Sequence, residues 1–423
     1  MSPAPTLAPA QAPAALEAAA IRKATRRLMP FLFLLYVFNF LDRTNVAIAA
    51  LQMNRGIGLS AAAYGLGAGI FYAGYVLFEV PANLVLVRVG ARRWIGPILM
   101  AWGLVGAATM FVRSPASFYL MRFLLGIAEA GFFPGVVYYL SRWFPTEQRA
   151  RAISRFMVAI PISGVLGGPL GGWLLGLNGR LGLAGWQWLF LIEGLPTVVL
   201  GVVALRYLTD RPEDAAWLEP AERAALAERM RREHEGTVAR HGHAGALRAL
   251  RSPTVWLLSI PYLLTVAGGL GYVFWVAIFV KAKLGTTDLD TGLIAGAFAL
   301  ATAAGMLLVG ASSDRRGERP LHAAACAAVA AAGAFGAALL PNPLLATLAF
   351  SLIQLGVVAY LVPFWCLPTA FLSGEAAAVS IALINSIGNI GGFLGPSLLG
   401  WVKNATGGFD GALLAIGGAA LVA

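Results

Sequence analysis

Four ionisable residues lie inside otherwise apolar stretches of this chain. Asp42 and Arg43 are adjacent within Leu41-Asp42-Arg43-Thr44-Asn45, and Arg122 and Glu129 are seven residues apart. At the centre of a membrane each ionised group costs about 2.5–3.5 kcal/mol on insertion scales, so such groups face partners or a wet cavity. Seven residues are two helical turns, which puts Arg122 and Glu129 on one face with Gly126 between them. Two guanidiniums from different helices could grip a carboxylate through their planar forks, which points to an anionic ligand. His234, His241, His243 and His322 all fall in polar connections, so a proton carrier inside the apolar stretches must be a carboxyl group. Asp42 and Glu129 are the candidates. Burial favours the neutral form of a carboxyl and a nearby guanidinium favours the charged form, so a ligand arriving at the arginines would alter proton binding. The four charges sum to zero, and two purely structural ion pairs are the competing reading. Against it, charges without a function can be replaced by packed apolar residues at little loss of stability.

The elements that must position these groups are membrane spans. Hydrophobic residues are 59 % of the 423 positions and charged residues 12 %, a balance that excludes an ordinary water-soluble domain. Apolar runs between polar breaks predict spans at Leu28–Ala50, Ala61–Val87, Trp94–Val112, Ala116–Leu140, Phe156–Leu177 and Trp186–Leu208. Six more follow at Val255–Val280, Gly292–Ala311, Leu321–Leu340, Leu344–Leu372, Ala376–Val402 and Phe409–Ala423. The last is short for a spanning helix, as if the native chain continued past Ala423. The fold class expected is therefore an all-α polytopic membrane protein, with twelve transmembrane helices in two pseudo-symmetric six-helix bundles.

The net charge of +11 raises the question of nucleic acid, but the placement of the basic residues answers it. Arg55, Arg113, Arg180, Lys281, Lys283 and Lys403 fall on one side of the spans, Arg43 and Arg122 lie within them, and the remaining 23 of 31 fall on the other side. The positive-inside rule puts both termini in the cytoplasm. Residues 1–27 read as a disordered cytoplasmic tail, 28–208 as the first bundle, 209–252 as a cytoplasmic linker with a charged amphipathic helix over Pro220–Glu235, and 253–423 as the second bundle. Basic and acidic residues nearly balance in the linker, which reads as solvated rather than as a nucleic-acid site. Cys326 and Cys366 read as small buried hydrophobes, and neither a metal nor a cofactor is implied.

An internal repeat connects the bundles. A displacement of 227 residues matches Arg88 with Arg315, Gly90 with Gly317, Arg92 with Arg319, Gly164 with Gly391, Gly168 with Gly395 and Pro169 with Pro396. Six helices separate each pair, so the halves share an orientation, as parallel repeats do. The same offset puts Gly269, Leu270, Ala349 and Gly356 where the first half carries Asp42, Arg43, Arg122 and Glu129. The arrangement resembles the major facilitator superfamily, whose loop signature is matched by Gly310, Asp314, Arg315, Gly317 and Arg319. In the first-half copy Asn83 and Val87 stand for the glycine and the aspartate, while Arg88, Gly90 and Arg92 remain. These loop residues either gate the transport cycle or simply fix topology.

More narrowly, the chain resembles the anion:cation symporter family of that superfamily. The likeness is carried by Leu41–Asn45, by Phe78-Glu79-Val80-Pro81-Ala82-Asn83, by the run from Arg122 through Glu129 to Gly135, and by Asn385-Ser-Ile-Gly-Asn389-Ile-Gly-Gly. Trp186-Gln-Trp-Leu-Phe-Leu-Ile-Glu193-Gly-Leu-Pro and the glycine-rich Gly164–Gly172 look most like its tartrate branch. The resemblance implies proton-coupled uptake of small organic acids by alternating access, at a bacterial inner membrane, by a chain that works as a monomer and is not an enzyme. It makes Asp42 and Glu129 the proton-linked acids, Arg43 and Arg122 the substrate arginines, and Asn389 a substrate amide, with Asn385 on the same helical face. Tyr75, Tyr272 and Trp365 are aromatic candidates for the same site, with packing as the alternative. Glu79 and Glu193 are expected as helix-contact or gating groups. A proton-coupled exporter of drugs or metabolites is the rival expectation, and a membrane-embedded transferase a remote one.

Overall fold

A computed structural model describes residues 11–238, 253–365, 367 and 374–423. Among these the chain is helical, without strands. The first half comprises α1 (Gln11–Gly56), α2 (Ala61–Val89), α3 (Ala91–Ala108), α4 (Pro115–Glu129), α5 (Phe132–Trp143), α6 (Thr146–Met157), α7 (Ala159–Leu175) and α8 (Gly185–Tyr207). The linker carries α9 (Pro220–Val238). The second half comprises α10 (Pro253–Leu284), α11 (Asp288–Arg316), α12 (Pro320–Leu339), α13 (Pro343–Phe364), α14 (Gly374–Thr406) and α15 (Asp410–Val422). Ten helical stretches are long and apolar enough to cross a membrane, with α4–α5 and α6–α7 each counted as one. The 33-residue α14, diluted by Asn385, Ser386, Asn389 and Ser397, and the 13-residue α15 complete a twelve-helix fold.

Two of the expected spans are broken, and proline explains both. Pro134 has no N–H to donate and its ring collides with the carbonyl of Ala130, four residues back. The fourth span accordingly divides into α4 and α5 at Ala130–Gly131, directly after Glu129. Pro161 opposes the carbonyl of Met157 in the same way, and α6 ends at Met157.

The structure corrects the expectation of a disordered tail. From Gln11 onward the tail is the first part of α1, a 46-residue helix about 69 Å long at about 1.5 Å per residue. Its alanines are the strongest helix formers, and Ala20, Ile21 and Ala24 are buried. Lys23 bonds to Glu219 and Glu222 beside the start of α9, and Glu17 pairs with Arg229. The linker helix thus gives the tail a surface to order against. Residues 1–10 lie outside the described part.

Within the halves α3 packs on α8, α2 on α4, α10 on α14 and α12 on α13. Between them α2 packs on α14, α7 on α11 and α1 on α10. The first two of these contacts are copies of one another at the 227-residue offset. A Cβ on Gly65 of α2 would lie 2.4 Å from the Pro396 carbonyl and 2.9 Å from Gly400 Cα. Its counterpart Gly292 of α11 would meet the Gly168 carbonyl at 2.2 Å. Both contacts lie toward the end of the bundle away from the linker, so the halves touch backbone to backbone there. The helix-ending glycines Gly90 and Gly317, also 227 apart, both take positive φ (87° and 67°) at the ends of α2 and α11.

Candidate functional site

The centre of the first half is an arginine–glutamate pair between α1 and α4. Arg43 Nη2 and Nε donate to Glu129 Oε2 at 2.9 and 3.1 Å, and Asn39 Nδ2 donates to the same oxygen at 2.8 Å. Asn39 and Arg43 are one turn apart on α1, so they reach α4 from one face. Glu129 is fully buried and its Oε1 has no partner. Its place at the α4–α5 break leaves it at a helix end, where Pro134 forbids the ladder from continuing. The rings of Phe40, Phe71 and Tyr75 lie about the Arg43 guanidinium at 5.2–5.3 Å, within cation–π range.

Arg43 also faces a central cavity whose empty space, open mouth included, is about 910 Å³. Thr44 and Asn45 of α1, Tyr72 of α2, Ser163 of α7, Glu193 of α8, Tyr272 of α10 and Gln354 of α13 supply its other polar lining. Residues of both halves thus enclose one space, and the charges in its wall come from the first half.

Arg122 does not join Arg43 there. It is 2 % exposed, outside the lining, and among the described residues its Nε, Nη1 and Nη2 find no hydrogen-bond partner. The guanidinium lies 4.9 Å from the Phe71 ring and 5.7 Å from the Phe274 ring. Gly126, between Arg122 and Glu129, presses α4 onto α2, since a Cβ there would lie 2.0 Å from the Phe71 carbonyl. The expected convergence of both arginines on one vestibule is therefore only half present in this conformation: Phe71 and Phe274 close over Arg122. An unpartnered buried charge costs several kcal/mol, about 0.5–2 of which each aromatic face can offset.

Asp42 points the other way, toward α3 and α8. Its Oδ2 accepts from Trp102 Nε1 at 2.8 Å and from Thr197 Oγ1 at 3.2 Å, and its Oδ1 has no partner. Tyr75 is buried beside Arg43, and Tyr272 lines the cavity while stacking on Phe350 at 4.8 Å. Trp365 packs edge-on against Tyr262 at 5.0 Å, and Asn385 Oδ1 accepts from the Tyr262 hydroxyl at 3.4 Å. Those two and the half-buried Asn389 lie outside the cavity lining. Sequence reading missed Asn39, Trp102, Thr197 and Gln354. Asn39, four residues before Arg43, and Thr197, four after Glu193, could have been found by helical spacing.

The loop signature is asymmetric. In the second half Arg319 donates to Ser313 Oγ at 2.8 Å, Arg315 is exposed, and the Asp314 side chain lies outside the described part. In the first half, which lacks that aspartate, Asp210 from beyond α8 accepts from the Arg92 backbone N–H at 2.8 Å and pairs with its guanidinium at 3.6 Å. An acid at the start of α3 complements the helix dipole there. Arg88 is exposed, and Gly90 holds the turn.

A model of the family described as Major Facilitator Superfamily matches residues 32–396. A "Putative tartrate transporter" of Agrobacterium vitis is 46 % identical over 408 residues, covering 96 % of this chain and 90 % of that protein. The "Inner membrane transport protein RhmT" of Escherichia coli is 39 % identical, covering 91 % and 89 %. A "Quinolone resistance transporter" of Acinetobacter baumannii is also 39 % identical, over 92 % and 89 %. Among solved structures, a bacterial homologue of the human lysosomal transporter Spinster, inward-facing and unoccupied, superimposes with a TM-score of 0.75 at 23 % identity over 89 % of this chain and 82 % of that one. A D-xylose-proton symporter does so at 0.70 and 14 %, over 94 % and 95 %. These structures share the fold.

Proposed function

The chain belongs to the major facilitator superfamily, and from that premise we propose that this transporter takes up small organic anions of the tartrate or sugar-acid kind together with protons. The observation that carries the reading is the competition built around Arg43. Its guanidinium faces the cavity yet is held by Glu129, while Arg122, two turns along the same helix as Glu129, finds no acceptor among the described residues. A carboxylate entering the cavity that takes the Nε–Nη2 edge of Arg43 bidentately displaces Glu129 from it. The displaced carboxylate, buried and without its cation, is stabilised by taking a proton, and a protonated Glu129 in turn releases Arg43. Substrate and proton therefore promote each other's binding, as linkage requires of a symporter. When the halves rock and Phe71 and Phe274 part, Arg122 gains access to the anion and loses its isolation. Asp42 is the second proton-linked acid in this scheme.

The distribution of basic loops supports a reading in which both termini and the linker lie in the cytoplasm, at a bacterial inner membrane. The close contacts at the end away from the linker then correspond to a periplasmic side that is shut. A monocarboxylate carried with one proton is driven by the pH gradient alone, about 1.4 kcal/mol per unit, whereas each extra proton adds about 2.3 kcal/mol per 100 mV. Membership of a transporter superfamily, with the fold to match, sets aside the transferase reading. The kinship to a quinolone resistance transporter keeps export of drugs as the second reading. Purified chain in proteoliposomes, supplied with radiolabelled tartrate under an imposed pH gradient, decides between them. Uptake abolished by collapsing the gradient supports the proposal, whereas proton-driven movement of a quinolone with no movement of any carboxylic acid overturns it.

A further inference from the structure

At the end of the first half that carries the linker, α1 and α6 enclose a second cavity, whose empty space, open mouth included, is about 660 Å³. Its wall holds four arginines, Arg22 and Arg26 of α1 and Arg151 and Arg155 of α6. Each pair is four residues apart, so each helix presents two basic side chains on one face. All four residues are exposed, above a floor that includes the buried Phe144 and Ala152. Thr25 and Gln148 add uncharged polar groups to the wall, and among the described residues no Asp or Glu lines it.

Neighbouring cations on the same two helices are already occupied. Lys23, between Arg22 and Arg26 in the chain, pairs with Glu219 and Glu222, Arg27 lies over the Tyr207 and Trp217 rings, and Arg149 pairs with Glu233. The four arginines of the cavity wall enter no hydrogen bond or ion pair among the described residues. The positive-inside rule asks for basic residues at one end of the spans, but not for their convergence on one space. Like charges four residues apart on a helix repel, and two such pairs share this cavity, so an anion relieves the arrangement. A carboxylate brings one charge. A phosphate monoester brings about 1.5–2 charges at pH 7 and three acceptor oxygens, and guanidinium forks match its geometry. The face of Arg151 and Arg155 runs on through the exposed Val158 and Ile162, with Val158 keeping helical dihedrals (φ −59°, ψ −19°). Ile160, Gly164 and Gly167, which line the central cavity, fall on the other side of that helix. An exposed apolar track leading to a basic pocket suits an acyl chain and its headgroup.

We propose that Arg22, Arg26, Arg151 and Arg155 form one binding site for a doubly charged phosphate group, carried by a lipid headgroup or by a soluble phosphate ester. The bound phosphate ties α1 to α6 at the linker end of the first half. The site shares no lining residue with the central cavity and lies apart from the Arg43–Glu129 pair. It stands whether or not the transport reading does, and its test measures binding alone.

The test is isothermal titration calorimetry of the full chain in an uncharged detergent, with dihexanoyl phosphatidic acid, dihexanoyl phosphatidylcholine and inorganic phosphate as probes. Phosphatidic acid is expected to bind. R22Q/R26Q and R151Q/R155Q should each weaken it about tenfold or more, the loss expected when charge-assisted hydrogen bonds are removed. R93Q/R206Q removes two exposed charges from the same end of the first half but outside the cavity, and should weaken binding less than about twofold. Inorganic phosphate that binds with the same dependence on the variants identifies a soluble ester as the occupant, and binding of the lipid alone identifies a headgroup. The proposal is overturned if neither phosphatidic acid nor inorganic phosphate binds, if phosphatidylcholine binds as tightly as phosphatidic acid, or if R93Q/R206Q costs as much as the cavity variants. Should one cavity variant fail to fold, the other, on a different helix, carries the test.

Discussion

The two halves of this transporter repeat one architecture, but the first carries the buried charges of the site and the second mainly packing. At the offset that aligns Gly90 with Gly317, the places of Asp42, Arg43, Arg122 and Glu129 are taken by Gly269, Leu270, Ala349 and Gly356. Leu270 lines the same cavity as Arg43. Gly356 sits where a Cβ would be 2.5 Å from both the Ala330 nitrogen and the Cys326 carbonyl, so α13 is pressed against α12 at the point where α4 holds Glu129. The helix fold is thus indifferent to the charges, since one copy does without them. They persist in the other copy against their insertion cost, which is the physical reason to assign them to a site.

The largest effect expected is from moving the first half's chemistry into the second. Gly356→Glu forces a side chain into backbone contact and should cost more than about 4–5 kcal/mol, leaving no monodisperse folded protein on size exclusion. Glu129→Gln, at the aligned place, should remain folded. A well-folded G356E variant would show that the second half has room this structure denies it.

Next in size is a contrast between the two arginines. Arg43→Ala leaves Glu129 buried with Asn39 as its remaining donor and should destabilise by about 3–5 kcal/mol, lowering the thermal unfolding midpoint. Arg122→Met removes a charge that has no partner and should leave the midpoint unchanged or raise it. Both should abolish substrate-induced thermal shifts. Equal destabilisation by the two variants would mean that Arg122 has a partner in the resting state and that its isolation is misread.

A smaller effect is expected in the aromatic cluster of the second half. Asn385→Ala breaks a long hydrogen bond from Tyr262 and should cost about 0.5–1.5 kcal/mol while leaving pH-driven uptake within a few-fold of wild type. Loss of uptake with an unchanged midpoint would bring Asn385 into the substrate site and narrow the contrast between the halves.

The smallest effect lies outside both halves, at the clamp between α1 and the linker. Lys23, through its hydrogen bond, holds the Glu222 carboxyl below its ordinary range. A carboxyl so depressed contributes above its unfolded pKa and loses the contribution as pH falls through the folded value. Glu222→Gln should therefore lower the midpoint slightly at neutral pH and low salt, and not at all in acid. An effect that survives acid or high salt would show that packing rather than charge holds the tail.

The sequence alone determined the all-helical membrane class, the repeat and its offset, and the identity of the charged residues inside the spans. Each follows from one-dimensional properties: run length against bilayer thickness, periodicity, and the cost of charge in hydrocarbon. Only the tertiary structure decided which charges meet. Asn39 and Arg43 close on Glu129 at a helix end, which Pro134, five residues beyond it, keeps from continuing. Asp42, one residue from Arg43, turns about 100° away around the helix to Trp102 and Thr197. The tail looked disordered because its order depends on Glu219 and Glu222, some two hundred residues away. Glu193 could not be placed from its own neighbourhood, since its burial and its position in the cavity wall are set by the helices packed around it.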